Sequence, residues 1–304
     1  MASLREIRRK VKSVKNTQQI TRAMKMVASA RLRRVQQQTL SARPFAQRLE
    51  DLILHLIQRI ESPFDQGTSL HPLLEKRSGN EDTFVIVTAD KGLCGAFNTN
   101  VIRKGLELLK EKKDQGKTVH LFLVGRKGRD FFRRLHPVTK EYVNIFSKLG
   151  AAQADLIGSD LIQLYLEKPI SQVTLIYQTF ISIIQQQLTV ETLLPIQSFN
   201  YGTQIQDSEP RIPNSGLYNV DYLYEPGKEE LLKVLLPRYL KAKIYRALLE
   251  SYAAELGARM NAMENATKNA KELISVLTLQ ANKTRQTMIT KELSELVGCA
   301  EALS

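Results

Sequence analysis

Both ends of this chain carry a seven-residue repeat, and few folds satisfy that. The first seam runs Leu4, Ile7, Val11, Val14, Gln18, Thr21, Lys25, Ala28, Leu32, Val35. The second runs Leu256, Met260, Met263, Thr267, Ala270, Ile274, Leu277, Ala281, Thr284, Met288. The spacing alternates three and four throughout, which puts one side of each helix on a left-handed supercoil. A folded segment between the two makes antiparallel pairing the natural one. The expected shape is a rod with a globular body attached.

Polar residues interrupt both seams: Gln18, Thr21 and Lys25 in one, Thr267 and Thr284 in the other. Polar core positions trade stability for a unique register. They also fit a thin rod enclosed by other protein, with Ala23, Ala28, Ser29 and Ala30 keeping it slim. Exposed apolar area contributes about 25 cal/mol per Å² on burial, so a shaft turning in a sleeve does best without large sticky patches.

Charge is concentrated at one end. The chain carries a formal +13, and residues 1–48 hold thirteen Lys and Arg against the single acid Glu6. A helix so basic calls for an acidic partner. Nucleic acid is a poor one, because no aromatic precedes Phe45 and no recognition module is visible. A membrane surface is equally poor, because the apolar stripe is committed to the coil. No apolar run reaches the roughly 18 residues of a membrane span. No signal-peptide pattern opens the chain.

The pattern changes between the rods. Residues 2–60 read as one helix of about 85 Å, with a kink expected at Pro44. Thr83–Thr88, Val119–Val124, Gln172–Phe180 and Gln187–Leu194 read as strands, the last two as an antiparallel pair. Helical periodicity fits Phe97–Lys113, Arg126–Leu135 and Ala151–Glu167. From Glu229 the chain reads as helix to about Ala302, with Pro237 and Gly257 as weak points. The fold class is therefore α/β, a long antiparallel coiled coil plus a central Rossmann-like domain. The divisions are an N-terminal coil helix (1–60), a linker (61–82), the α/β domain (83–198), an irregular connection (199–227) and a C-terminal coil helix (228–304).

Little here reads as chemistry. Asp90–Asn98 joins a strand to a helix, the place of a phosphate loop, but matches neither GxxxxGK[ST] nor GxGxxG. Its glycines suit a tight turn. Cys94 and Cys299 read as free thiols, and four scattered histidines show no ligand spacing. No metal, cofactor or catalytic residue is expected.

Several segments closely resemble the gamma subunit of F-type ATP synthases, bacterial type. They are REIRRKVKSVKNTQQITRAMKMVASARLRR (5–34), ARMNAMENATKNAKELI (258–274), NKTRQTMITKELSELVG (282–298), TADKGLCGAFN (88–98) and DYLYEP (221–226). The chain departs from the family pattern at Ala96 and Cys299, where glycine is usual, and at Ala281, where tyrosine is. It also lacks the cysteine-bearing insertion of plastid forms.

The resemblance implies a non-catalytic rotor at the axis of a ring of alpha and beta subunits, standing on a membrane c-ring beside an epsilon subunit. No nucleic acid partner is implied. The expected place is the cytoplasmic face of the bacterial inner membrane, as a peripheral subunit. It also implies that Met24 and Arg259 lie near each other where rotor and catalytic subunits couple. Arg285, Gln286, Thr290 and Glu292 would form an upper contact cluster; Thr290 and Glu292 equally suit an ordinary helix surface. Arg8, Arg9 and Lys10 are candidate electrostatic contacts or a solvated face. Tyr222 and Glu225 would meet the c-ring or epsilon.

Overall fold

The computed structural model describes residues 3–60, 71–196 and 227–303. Two helices dominate it: α1 (Leu4–Ile60) and a C-terminal helix (Lys228–Leu303) that is α5 in chain order. They pair antiparallel, as the link between Thr21 and Thr267 and the link between Lys25 and Glu264 require. The seam follows the heptads. Between residues 4 and 35, every position of the first repeat is buried or half-buried, and most others are exposed. Along α5 the same holds from Leu256 to Thr284, but Met288 is 46% exposed. Leu4 of α1 pairs no further than Thr284, so Met288 has periodicity without a partner. Helix α1 runs on through Pro44, next to the exposed Leu40. A missing Pro N–H leaves the carbonyl one turn back free, and Leu40 lies where water reaches it.

Between the long helices lies a five-stranded sheet. In chain order the elements are β1 (Glu81–Val87), α2 (Phe97–Asp114), β2 (Thr118–Val124), α3 (Arg126–Phe132), β3 (Lys140–Tyr142), α4 (Ala151–Glu167), β4 (Ile170–Phe180) and β5 (Gln186–Leu194). The strand order is β3-β2-β1-β4-β5. All pairs are parallel except β4 with β5. Helix α3 stops at Phe132, three residues short of the expected Leu135. The three-residue strand β3 has no counterpart in the sequence reading. Its residues, Lys-Glu-Tyr, are mostly exposed and too few to show alternation.

Strand alternation divides the core. Phe84, Ile86, Leu121, Leu123 and Ile176 meet Val101 and Leu109 of α2 and Phe132 of α3. Val85, Val87, Phe122, Val124, Leu175 and Tyr177 point the other way, into a larger core with α4, the start of α5 and the end of α1. The coil thus begins as part of the globular core and leaves it near Val35 and Ala253. There a separate cluster of Ala28, Leu32, Val35, Leu249, Ala253 and Leu256 takes over.

The N-terminal end of the sheet is pinned by a buried acid. Asp82 is 1% exposed and pairs with Lys112 at 2.9 Å and Lys117 at 3.3 Å, while Ser171 donates to it. Burial pushes its carboxyl up, but the Ser171 bond and the two ammonium groups outweigh that and hold it below the usual range.

Candidate functional site

The middle of the coil has a polar clasp. Thr21 Oγ1 and Thr267 Oγ1 are 2.8 Å apart, and each also lies within reach of a carbonyl of its own helix, Gln18 at 3.0 Å and Met263 at 2.7 Å. One hydroxyl can donate across the seam while the other donates back along its helix. One turn on, Lys25 Nζ meets Glu264 Oε1 at 3.0 Å and holds that carboxyl below its ordinary range. A crevice of ≈ 320 Å³ beside this clasp is lined by Gln18, Arg22, Lys25, Glu264, Thr267 and Lys268 among others. It contains no histidine or cysteine.

Met24 sits half-buried next to Lys25. Continuing the register places Arg259 opposite residues 29–30, about 8 Å further along the axis at 1.5 Å per residue. The structure therefore puts Met24 and Arg259 in one stretch of the rod, roughly a turn and a half apart. Arg8, Arg9 and Lys10 are exposed on its outside. On the same stretch Leu273, Val276 and Leu279 of α5 are 47%, 59% and 68% exposed. The rod is not stripped of apolar surface, contrary to the slim shaft expected from its small residues.

Beyond Thr284, α5 continues alone. Residues 285–298 are all exposed, Arg285, Gln286, Thr290 and Glu292 among them. The Thr290 hydroxyl donates to Gln286 O at 2.9 Å. Met288, Ile289, Leu293, Leu296 and Val297 are also exposed. At 100° per residue these five fall within one half of the helix circumference. At 1.5 Å per residue, residues 285–303 extend about 28 Å past the start of α1. Tyr222 and Glu225 lie outside the described residues.

The loop after β1 is where a doubly wound sheet ordinarily binds its ligand, and here it is filled. Asp90 Oδ1 accepts from the backbone N–H of Arg126 (3.1 Å) and Asn144 (2.8 Å). Asn98 Oδ1 accepts from Ala89 N at 2.9 Å, and Gln178 Nε2 donates to Phe97 O at 2.9 Å. Ala89, Cys94 and Phe97 then pack on Ala254 and Ala258 of α5. The shaft covers the crevice. Cys94 is a free buried thiol, and burial together with the nearby Glu255 charge pushes it up, away from the reactive thiolate.

Arg259 turns inward, toward this loop. Its guanidinium donates to the carbonyls of Lys91 (3.4 Å) and Gly92 (3.2 Å) and pairs with Glu255, one turn earlier on α5. Glu255 is 5% exposed, and no sequence pattern marks it. The available signal was the run of small residues around it: Ala253, Ala254, Gly257 and Ala258. A Cβ on Gly257 would stand 3.0 Å from the Phe180 ring, so this run is where the globular domain presses on the coil. Among the described residues there is no group of side chains that could hold a metal and no helix long and apolar enough to cross a membrane.

A family model described as ATP synthase matches residues 3–303. The ATP synthase gamma chain of Moorella thermoacetica is 44% identical, and that of Trichlorobacter lovleyi 40% identical, with 100% of this chain and at least 99% of each relative covered. Among solved structures, a chain of the Tetrahymena thermophila mitochondrial ATP synthase central stalk and c-ring is 27% identical. Its TM-score is 0.58, over 81% of this chain and 99% of that one. A chain of the Euglena gracilis mitochondrial ATP synthase shares the fold at 18% identity and a TM-score of 0.64, covering 99% and 94%.

Proposed function

The chain belongs to the ATP synthase family as a gamma chain, a non-catalytic subunit, and from that premise we propose that it is the shaft coupling ion flow to nucleotide chemistry. The coiled coil and bare tip stand on the axis of a ring of alpha and beta subunits. The globular body rests, with the epsilon subunit, on the membrane c-ring at the cytoplasmic face of the bacterial inner membrane. Ion-driven rotation of that ring turns the shaft. Each orientation favours one conformation of each catalytic subunit, because it binds that conformation better than the others.

The observation that carries this reading is the tip: a single helix about 28 Å long, exposed on every side over residues 285–298, with five large apolar residues on one half of that stretch. A helix end without packing gains little stability of its own, and an apolar face left exposed on it marks a contact surface. A sleeve of surrounding subunits fits, and the polar remainder (Arg285, Gln286, Thr290, Glu292) is placed to meet loops of that sleeve. Lower down, Met24, Arg259 and the outward Arg8, Arg9 and Lys10 occupy the stretch facing the catalytic subunits, whose contact surface should be acidic. Tyr222 and Glu225 are the residues we assign to contacts with the c-ring or epsilon.

Native mass spectrometry of the complex recovered on a tag fused to this chain tests the reading. One copy with three each of two larger nucleotide-binding subunits is expected. Recovery as a monomer or homodimer with its own bound nucleotide overturns it.

A further inference from the structure

We propose that Glu255 is a positioning residue for rotary coupling: its carboxylate holds the Arg259 guanidinium on the Lys91 and Gly92 carbonyls, clamping the shaft to the globular body. The proposal rests on the rotor reading above.

Glu255 and Arg259 both lie on α5, four residues apart, so they form one unit of the shaft. Their side chains are 6% and 11% exposed. The two carbonyls belong to the loop between β1 and α2, part of the globular body. The Arg259 fork therefore ties the coil, just past the point where α5 leaves the globular core, to the loop after β1. A guanidinium offers five donors in a fixed plane, and the ion pair with the carboxylate behind it, made without an aligned hydrogen bond to the Glu255 Oε1, favours the orientation that reaches the loop.

The contact around the fork is otherwise smooth. Ala254 and Ala258 touch Ala89, Cys94 and Phe97, and Gly257 faces the Phe180 ring. Small side chains without interlocking shape resist sliding poorly. The clamped loop is also strained. Leu93, directly after the gripped carbonyls, has φ 64, a region that a branched side chain seldom occupies. Strain of that kind persists only where the surroundings over-determine the backbone, and the Arg259 fork supplies that determination.

The groups facing Glu255 are Arg259 and Tyr252 from α5, Arg31 from α1, and Asp90 and Cys94 from the loop. The Arg31 charge also opposes the rise that burial imposes on the Tyr252 phenol. Burial raises the Glu255 carboxyl to about 7, with Asp90 adding to the rise and both arginines opposing it. The carboxylate form, which grips the guanidinium, is thus reached as pH rises through neutrality.

The test uses the whole complex carrying Glu255→Gln, Arg259→Lys or both. Two quantities are read at pH 6 and pH 8: ATP synthesis against ATP hydrolysis, and hydrogen exchange of residues 90–95, corrected for intrinsic rates. At pH 8, Glu255→Gln should lower synthesis about fivefold, the low end of an ordinary coupling effect. Hydrolysis should change less than about twofold, and loop exchange should speed up. At pH 6, where the wild-type acid is itself neutral, the difference should vanish. The double variant should be no worse than the worse single one, as for two residues acting as a unit. If Glu255→Gln does not assemble, Arg259→Lys alone decides, since a compact ammonium lacks the planar fork that faces the acid on one nitrogen and the carbonyls on another. Equal losses at both pH values, additive losses, or unchanged loop exchange would overturn the clamp. A wild-type chain absent from any such complex would overturn the rotor reading instead.

Discussion

Replacing Glu255 by glutamine should raise stability relative to the wild type progressively as pH climbs from about 4.5 to above 7. A carboxyl raised from 4.5 to about 7 in the folded state takes up protons on folding between those values. The folded form therefore loses stability as pH climbs through that window. The shift amounts to about 3 kcal/mol at 1.36 kcal/mol per unit, with the full cost present above pH 7. Glutamine mimics the neutral acid and does not titrate. Relative to the wild type, Glu255→Gln should thus gain about 3 kcal/mol between pH 4.5 and pH 8, whatever its offset at low pH. Scanning calorimetry of the full chain over that range reads it as a difference in Tm of a few degrees, growing with pH and level above about 7.5. A difference that stays flat, or widens toward acid, refutes the assignment of a buried acid held near neutrality.

The remaining predictions concern other joints. Gly125→Ala should cost about 3–6 kcal/mol and deplete assembled complex on native gels, because φ is 92 there and an added Cβ overlaps the Thr88 carbonyl. A double-mutant cycle of Thr21→Val and Thr267→Val should return about 1 kcal/mol of coupling in denaturant melts, since each hydroxyl keeps a carbonyl of its own helix when the other is removed. Asp82→Asn should remove part of the acid limb of the stability profile: Asp82 lies below its usual range, so its contribution is present above about pH 4 and fades as pH falls. Met24→Lys brings a second ammonium beside Lys25 and its partner Glu264, and should depress ATP synthesis more than hydrolysis in membrane vesicles.

Periodicity made the rods legible. The three-four spacing picked out Ile7, Thr21, Ala28, Leu32 and Val35, all of them buried. It could not say where pairing stops, because Met288 continues the pattern with no helix opposite. The strands were legible as apolar runs, but β3 lies at the sheet edge with a single buried side chain and leaves no such trace. The least legible contact was Arg259. An arginine on a coil reads as an outward charge, and only the three-dimensional approach of Lys91 and Gly92, more than 160 residues earlier, turns it inward. Its acid, Glu255, is hidden for the same reason. A buried acid on a helix looks like any other until its neighbours are known.

The seam that joins Thr21 to Thr267 also sets a clock. The two lie 246 residues apart. At a synthesis rate of roughly 5–20 residues per second, the N-terminal helix leaves the ribosome about 10–50 s before its partner exists. Contacts that distant in sequence form late, after the loop-closure entropy has been met by other structure. The sheet and its helices are the part able to fold first, drawing the first strand of the coil into place at Leu49, Ile53 and Leu56. The far end of the coil, at Leu4 and Thr284, is then the last to zip and the first to open. Throughout synthesis the most basic segment of the chain waits with its apolar stripe uncovered.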